Sequence, residues 1–345
     1  DRPQRIVIWI QTRELGDLYQ PYEFMTGDQL PRAVPIEEAE LEPSSELQTL
    51  LRAKVSTWKA RVDRELATLK EESGRTAGAV ELTGPMLAEA QRAYENAQRY
   101  ESNSFLVPAL DSYAETAVLI ATATRFVKIV PHLKRRNVAG LLEIVNAAQG
   151  VKTEVEAFGQ ELEVKAQSKT RGGQVSTAAA FTHYVTARSA TMIGDDFHAS
   201  AVALIKGLAA GQVAANNETL GAILERATLP ILYYDIARVY LDYAKDIQVL
   251  IADEGSAAPL GPASVDRMVK GYASASAAVL AYFNAIIVDE MGKEQNLAPE
   301  RARYVMAQRE PTYYLATKAN TLSEYTGKTA ATDGVKLMRL SAASS

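Results

Sequence analysis

The sequence predicts an all-α protein, a multi-helix bundle or short helical-hairpin solenoid preceded by a short extended N-terminal segment. Three observations predict it. From about residue 44 onward apolar residues recur at spacings of three and four, the period of a helix face. The segments carrying that period are rich in Ala, Leu and Tyr and are separated by Gly- and Pro-marked breaks. Only one short β-branched run, residues 5–10 (Arg5-Ile-Val-Ile-Trp9-Ile10), reads as a strand, and it has no neighbour to pair with.

The elements follow in order. Between Gly16 and Pro43 the chain holds Pro21, Gly27, Pro31, Pro35 and Pro43, so residues 1–43 read as an extended segment and Pro-rich connector. Ser44 or Ser45 caps a first helix to about Ser73, with Leu47, Leu50 or Leu51, Val55, Trp58, Val62, Leu66 and Leu69 on one face and Gly74 at its end. Thr83-Gly84-Pro85 starts a second, since proline is tolerated in a first helical turn. A third runs from about Phe105 to Val130, with Pro108 in its first turn and Pro131 just past its end. The second and third make a hairpin whose Ala90, Tyr94, Ala97, Tyr100, Leu110 and Tyr113 resemble a tetratricopeptide-type pair, without a recurrence at 34 residues.

Further helices are expected at about 137–166, 174–193, 195–210, 216–253, 262–292, 298–308 and 312–326. Arg171-Gly172-Gly173, Gly211, the Gly255–Gly261 loop and Gly292 to Pro299 separate them, and Pro230 is expected to kink or divide the longest. This gives a helical hairpin region at 44–170, a second helical region at 171–327 and a flexible small-residue tail at 328–345. Ala-rich faces at 175–180, 199–210 and 273–281 signal close helix contacts.

Composition narrows the function. Thirty-seven basic and 42 acidic residues give a net charge of -5, and the single basic cluster, Lys134-Arg135-Arg136, is too short to make a phosphate-binding face, so nucleic acid is not expected as a partner. The absence of cysteine excludes disulfides, thiolate metal sites and thiol catalysis. No run of about 18 uninterrupted apolar residues occurs, so no membrane-spanning helix is expected. The opening Asp1-Arg2-Pro3, without an initiator Met, fits a soluble, processed and exported chain, although nothing in the sequence fixes the compartment.

Candidate chemistry is sparse. His183 and His198 with Asp195 and Asp196 would form a two-His, carboxylate metal shell if two helices folded back on each other. Their spacing matches no i,i+4 ligand pair, and the two acids also suit the start of a helix, where negative charge is favoured. His132 stands apart, and no Glu-x-x-His motif occurs. Gly207-Leu-Ala-Ala-Gly211 lacks the Lys-Ser/Thr of a phosphate loop. Ser264 and Lys270 share a segment, but Pro262 and Ser264 read as a helix start rather than a nucleophile turn. No metal, cofactor or catalytic residue is expected. The tyrosines carry more: Tyr233, Tyr234, Tyr240 and Tyr243 share one helical segment, and Tyr313 and Tyr314 lie near the C-terminus. A ring that packs while its hydroxyl stays wet suits a helical core and a protein interface alike, so these six are the candidate interaction residues.

The segment Pro21-Tyr22-Glu23-Phe24-Met25-Thr26-Gly27-Asp28-Gln29-Leu30-Pro31 resembles the stretch that follows the proteolytic domain in archaeal-type, non-AAA Lon-like serine proteases. In that family a similar phrase leads through a proline-bearing connector into a long helical region, the order seen here. The resemblance implies a helical C-terminal region whose Ser-Lys peptidase activity lies outside it. The family's catalytic serine sits in a Gly-Pro-Ser-Ala-Gly-like loop with a lysine beyond it, and this sequence holds neither pattern in that context.

Taken together, the sequence leads to a non-catalytic helical scaffold or protein-interaction protein that binds a protein partner or itself. One alternative is an accessory helical domain of a Lon-like protease. The other is an enzyme or ligand-binding bundle whose site draws on distant residues such as tyrosines, His183 and acids.

Overall fold

A computed structural model describes residues 45–250 other than 169 and 215, together with Ala281 and Lys293. The chain divides after Ser45 into two units, and the description concerns the second. Its described part is all-α, with seven helices: α1 (Ser45–Arg75), α2 (Ala79–Ser102), α3 (Leu106–Lys134), α4 (Val138–Gln149), α5 (Val151–Lys165), α6 (Arg171–Ala209) and α7 (Asn217–Gln248). The expected strand at 5–10, the helices expected beyond 253 and the tail lie outside the described residues.

α1 buries Leu51, Val55, Trp58, Val62, Leu66 and Leu69, the stripe its spacing predicts, while Leu50 turns to solvent. Each side chain so buried contributes about 1.5–3 kcal/mol from surface removed from water. Long side chains tie the helix down: the Trp58 indole N–H donates to Asp246 at 2.9 Å, and Arg61 pairs with Asp242 at 2.9 Å.

α2 begins four residues earlier than Thr83-Gly84-Pro85 implied. Gly78, at φ 82°, makes the turn, and Pro85 lies inside the helix, where it removes the donor that would reach the Glu81 carbonyl. α3 likewise continues through Pro131 to Lys134, whose Nζ donates to the Ala77 carbonyl at 2.5 Å and ties the end of α3 to the turn between α1 and α2. Fifteen α3 residues are buried. By length and composition α3 is also the one described helix able to cross a membrane, and 56% of its most apolar window is covered by its neighbours.

The single helix expected at 137–166 is interrupted at Gly150, which keeps right-handed helical dihedrals and separates α4 from α5 by one residue. The opposite correction applies at 174–210. Gly194 does not break the chain, and Arg171-Gly172-Gly173 opens a 39-residue α6 capped by Thr170, whose Oγ1 accepts from the Gly173 N–H at 3.1 Å. Pro230 does not divide α7. Small residues let α6 and α7 pack closely: Ala180, Ala187 and Ala190 on one, Ala237 and Ala244 on the other, are fully buried.

The apolar interior has two lobes. One is built on α1, α2 and α3 with Val239 and Tyr243 of α7; the other joins Phe126 and Ile129 of α3 to α4, α5, α6 and α7. Met86, Ile236 and Tyr240 touch both lobes, so the core is continuous.

Three of the described helices end in the same hydrogen-bonded reversal. Phe105 N–H reaches Tyr100 O at 2.9 Å, Asn137 reaches His132 at 2.9 Å, and Gln212 reaches Gly207 at 2.9 Å. The left-handed residue is glycine only in the last, Gly211 at φ 69°; Ser104 (φ 61°) and Arg136 (φ 52°) carry a Cβ there. That conformation costs a side-chain residue about 1 kcal/mol or more, partly offset by glycine's freedom in the unfolded chain. Ser104→Gly and Arg136→Gly should each stabilise by about 0.5–1 kcal/mol in thermal denaturation; a loss at either position would mean its side chain contributes more than its backbone conformation costs.

Candidate functional site

A half-buried polar cluster, an aromatic cluster and one groove hold much of the titratable chemistry of the described residues. The first cluster centres on Asp195, in the middle of α6 rather than at a helix start. Its Oδ1 accepts from the Tyr234 hydroxyl at 2.7 Å and from Gln149 Nε2 at 3.1 Å, and its Oδ2 from Lys152 Nζ at 2.5 Å. Burial works to raise its carboxyl, but the donors from Lys152, Tyr234 and Gln149 outweigh it and hold it below the usual carboxylate range. Tyr234 is shifted the other way, above an ordinary phenol, by burial and by Asp195. His198 Nε2 donates to Asn146 Oδ1 at 3.1 Å, and burial pushes its imidazole down against the pull of Asp195. A general base works best with a pKa near the working pH. At neutral pH Asp195 is a weak base and Tyr234 a fixed donor, so the cluster joins α4, α5, α6 and α7.

The second cluster is aromatic. Tyr243 meets the Trp58 ring edge-on at 5.9 Å and the His183 ring at 4.3 Å, and Tyr240 lies 6.4 Å from Tyr243. His183 and His198 lie fifteen residues apart on one helix, about 22 Å along its axis at ~1.5 Å per residue, so no fold-back between them brings the two rings together. Among the described residues no group of three metal-ligating side chains comes together.

The groove is the open feature. It has a volume of about 1000 Å3 and runs between α1 and α4 over a floor supplied by α3 and α7. Its α1 wall extends from Arg61 to Arg75, about 21 Å at ~1.5 Å per residue. Half-buried Ala121 and Thr124, over the nearly covered Ile120 and Val127, line the floor. At one end His132 packs over Gly140, where a side chain would collide with its ring, and His132 Nδ1 accepts from Asn137 Nδ2 at 3.0 Å.

Deepest in the floor is Asp235, 1% exposed, which accepts from Arg125 Nε at 2.7 Å and from Thr122 at 3.4 Å. Burial pushes its carboxyl up to about 6, with Arg125 and Arg238 pulling against the shift. With Asp235 included, the groove carries five arginines and one lysine against four carboxylates. Arg61 is held by Glu65 at 3.0 Å and by Asp242. One oxygen of Glu72 is buried with no hydrogen-bond partner among the described residues.

Of the candidate interaction residues, Tyr233, Tyr234 and Tyr243 are buried within the bundle and Tyr240 is half-buried, so their rings pack against the chain's own helices. Tyr313 and Tyr314, Ser264 and Lys270, and residues 21–31, which carry the resemblance to Lon-like proteases, lie outside the described residues. Sequence patterns alone do not single out Arg125 and Asp235. The available signal is a charge inside an apolar stripe: Arg125 interrupts the run from Thr116 to Val130, and Asp235 follows Ile231 and Tyr234 on the buried side of α7.

Comparison with family models, with curated proteins and with solved structures found no significant match.

Proposed function

We propose that this chain is a non-catalytic helical scaffold whose groove between α1 and α4 holds a polypeptide segment of a protein partner. The form of the groove carries the reading. Small-molecule sites close around their ligand, whereas a trough about 21 Å long, open along its length and walled by two helices, suits a helix or an extended segment laid into it. Ala121 and the methyl group of Thr124 offer apolar contact on the floor, and the charged side chains around them offer register.

Filling the floor tests this. Ala121 is half-buried in the trough, and Ala121→Trp should occupy it without entering the core. Peptides selected from a displayed library on the native chain should lose about tenfold or more in affinity on the variant, with unchanged circular dichroism. Selected peptides that ignore the tryptophan, or a library that yields none, would remove the basis for the proposal. Light scattering across a concentration series decides whether the partner is a second copy: a mass that rises with concentration, and stops rising in Ala121→Trp, would identify it as one.

A further inference from the structure

We infer that the segment received by this groove is acidic, its carboxylates met by Arg125, Lys128 and Arg238 of the floor and by Arg64 on the α1 wall; the inference rests on the peptide-holding reading above. The charge balance of the groove runs against that of the chain. Overall the protein has 42 acidic and 37 basic residues, yet the groove carries six cationic side chains and four carboxylates.

Ion pairs already hold four of the six cations, Arg75 with Glu71 and Arg238 with Glu154 among them, and two of the four carboxylates. Asp235 is taken by Arg125 and Glu65 by Arg61. Among the described residues, by contrast, Arg64 and Lys128 have no ion-pair partner, and both are exposed. Arg125 reaches Asp235 through Nε alone, which leaves the terminal nitrogens of its fork for a ligand in the cavity it lines. Arg238 has only a loose pair with Glu154 at 3.4 Å. A guanidinium presents its donors in a plane that matches a carboxylate two bonds at a time, so this groove recognises carboxylates by geometry as well as by charge.

Glu72 distinguishes a polypeptide from a chain of phosphates. Its buried, unpartnered oxygen lines the same groove and requires a donor. A peptide can supply an N–H there; a row of phosphates supplies only acceptors.

The test uses the full chain and two labelled peptides of about 14 residues, matched to the ~21 Å wall. Both have the same Ala/Leu helical pattern, one with Glu and the other with Lys at the polar positions, and binding is read by fluorescence anisotropy. The Glu peptide should bind, weaken with added salt, and lose about tenfold or more with Arg64→Glu/Lys128→Glu. Arg92→Glu, on the exposed face of α2, should change nothing. Equal or better binding of the Lys peptide, or indifference to the double reversal, would overturn the acidic assignment and leave the peptide-holding reading standing. Binding of neither peptide would remove both. A single-stranded oligonucleotide that displaces the Glu peptide would transfer the site to nucleic acid and overturn the inference.

Discussion

Arg125→Met should destabilise the protein by about 3–5 kcal/mol at pH 7.5, and by distinctly less at pH 5. The expectation follows from what the substitution leaves behind. Asp235 is 1% exposed, and among the described residues Arg125 is its sole ion pair, at 2.7 Å. Methionine keeps most of the aliphatic stem of the arginine, so packing is largely preserved while the carboxylate loses its cation.

The sign of the pH dependence is fixed by the direction of the shift. Burial already raises the Asp235 carboxyl from 3.8 to about 6 with Arg125 present. A carboxyl whose folded pKa lies above its unfolded value favours the folded state when protonated. That contribution is complete below the unfolded value and is lost as pH rises through the folded one. Without Arg125 the folded value climbs further, so the loss extends to higher pH and acidification restores stability. Each unit of additional shift is worth about 1.4 kcal/mol.

Urea denaturation of the native and variant chains at the two pH values gives the difference directly, and groups common to both cancel. Adding Asp235→Leu to Arg125→Met removes the stranded charge and should recover most of the loss, because an apolar pair of similar volume often replaces a buried ion pair at little cost. An equal loss at both pH values, or no recovery in the double variant, would show that Arg125 acts through packing.

This ion pair also marks where sequence reasoning reaches its limit. The α1 stripe is legible because Leu51 to Leu69 obey one local period, and the stop at Gly211 because a left-handed turn requires glycine there. Arg125 and Asp235 are 110 residues apart, and only the packing of α3 on α7 brings them together. The same holds for the groove, whose residues come from four helices with no motif on any of them. Proline misleads for a related reason. Pro85 and Pro131 look like boundaries because proline breaks isolated helices, yet tertiary contacts carry α2 and α3 past both. Asp195, which suits a helix start by its local sequence, is instead the acceptor that three other helices share, and no rule about the first turn could reveal that.

Gly194 is the clearest case of a residue whose role reverses between sequence and structure, and it carries the second large expectation. Read locally it interrupts a helix; in the fold it lets α7 approach α6. A Cβ at this position would lie 2.6 Å from Tyr234 Cε1 and 2.9 Å from Cδ1. The tyrosine cannot yield easily, since it is fully buried and its hydroxyl is tethered to Asp195 at 2.7 Å. Alanine would gain up to about 1 kcal/mol in helix propensity and lose about 1–3 kcal/mol to overpacking. Valine adds bulk and a poorer propensity, so Gly194→Val should lose about 3 kcal/mol or more. Gly221 supplies the contrast: it is also helical, a methyl group there would meet nothing within 4 Å, and Gly221→Ala should gain up to about 1 kcal/mol. If close approach is the cause, Tyr234→Leu combined with Gly194→Ala will cost less than the sum of the single changes. Strict additivity, or a stabilising Gly194→Ala, would return the residue to the role its sequence implied, a weak point in a helix that its neighbours do not need.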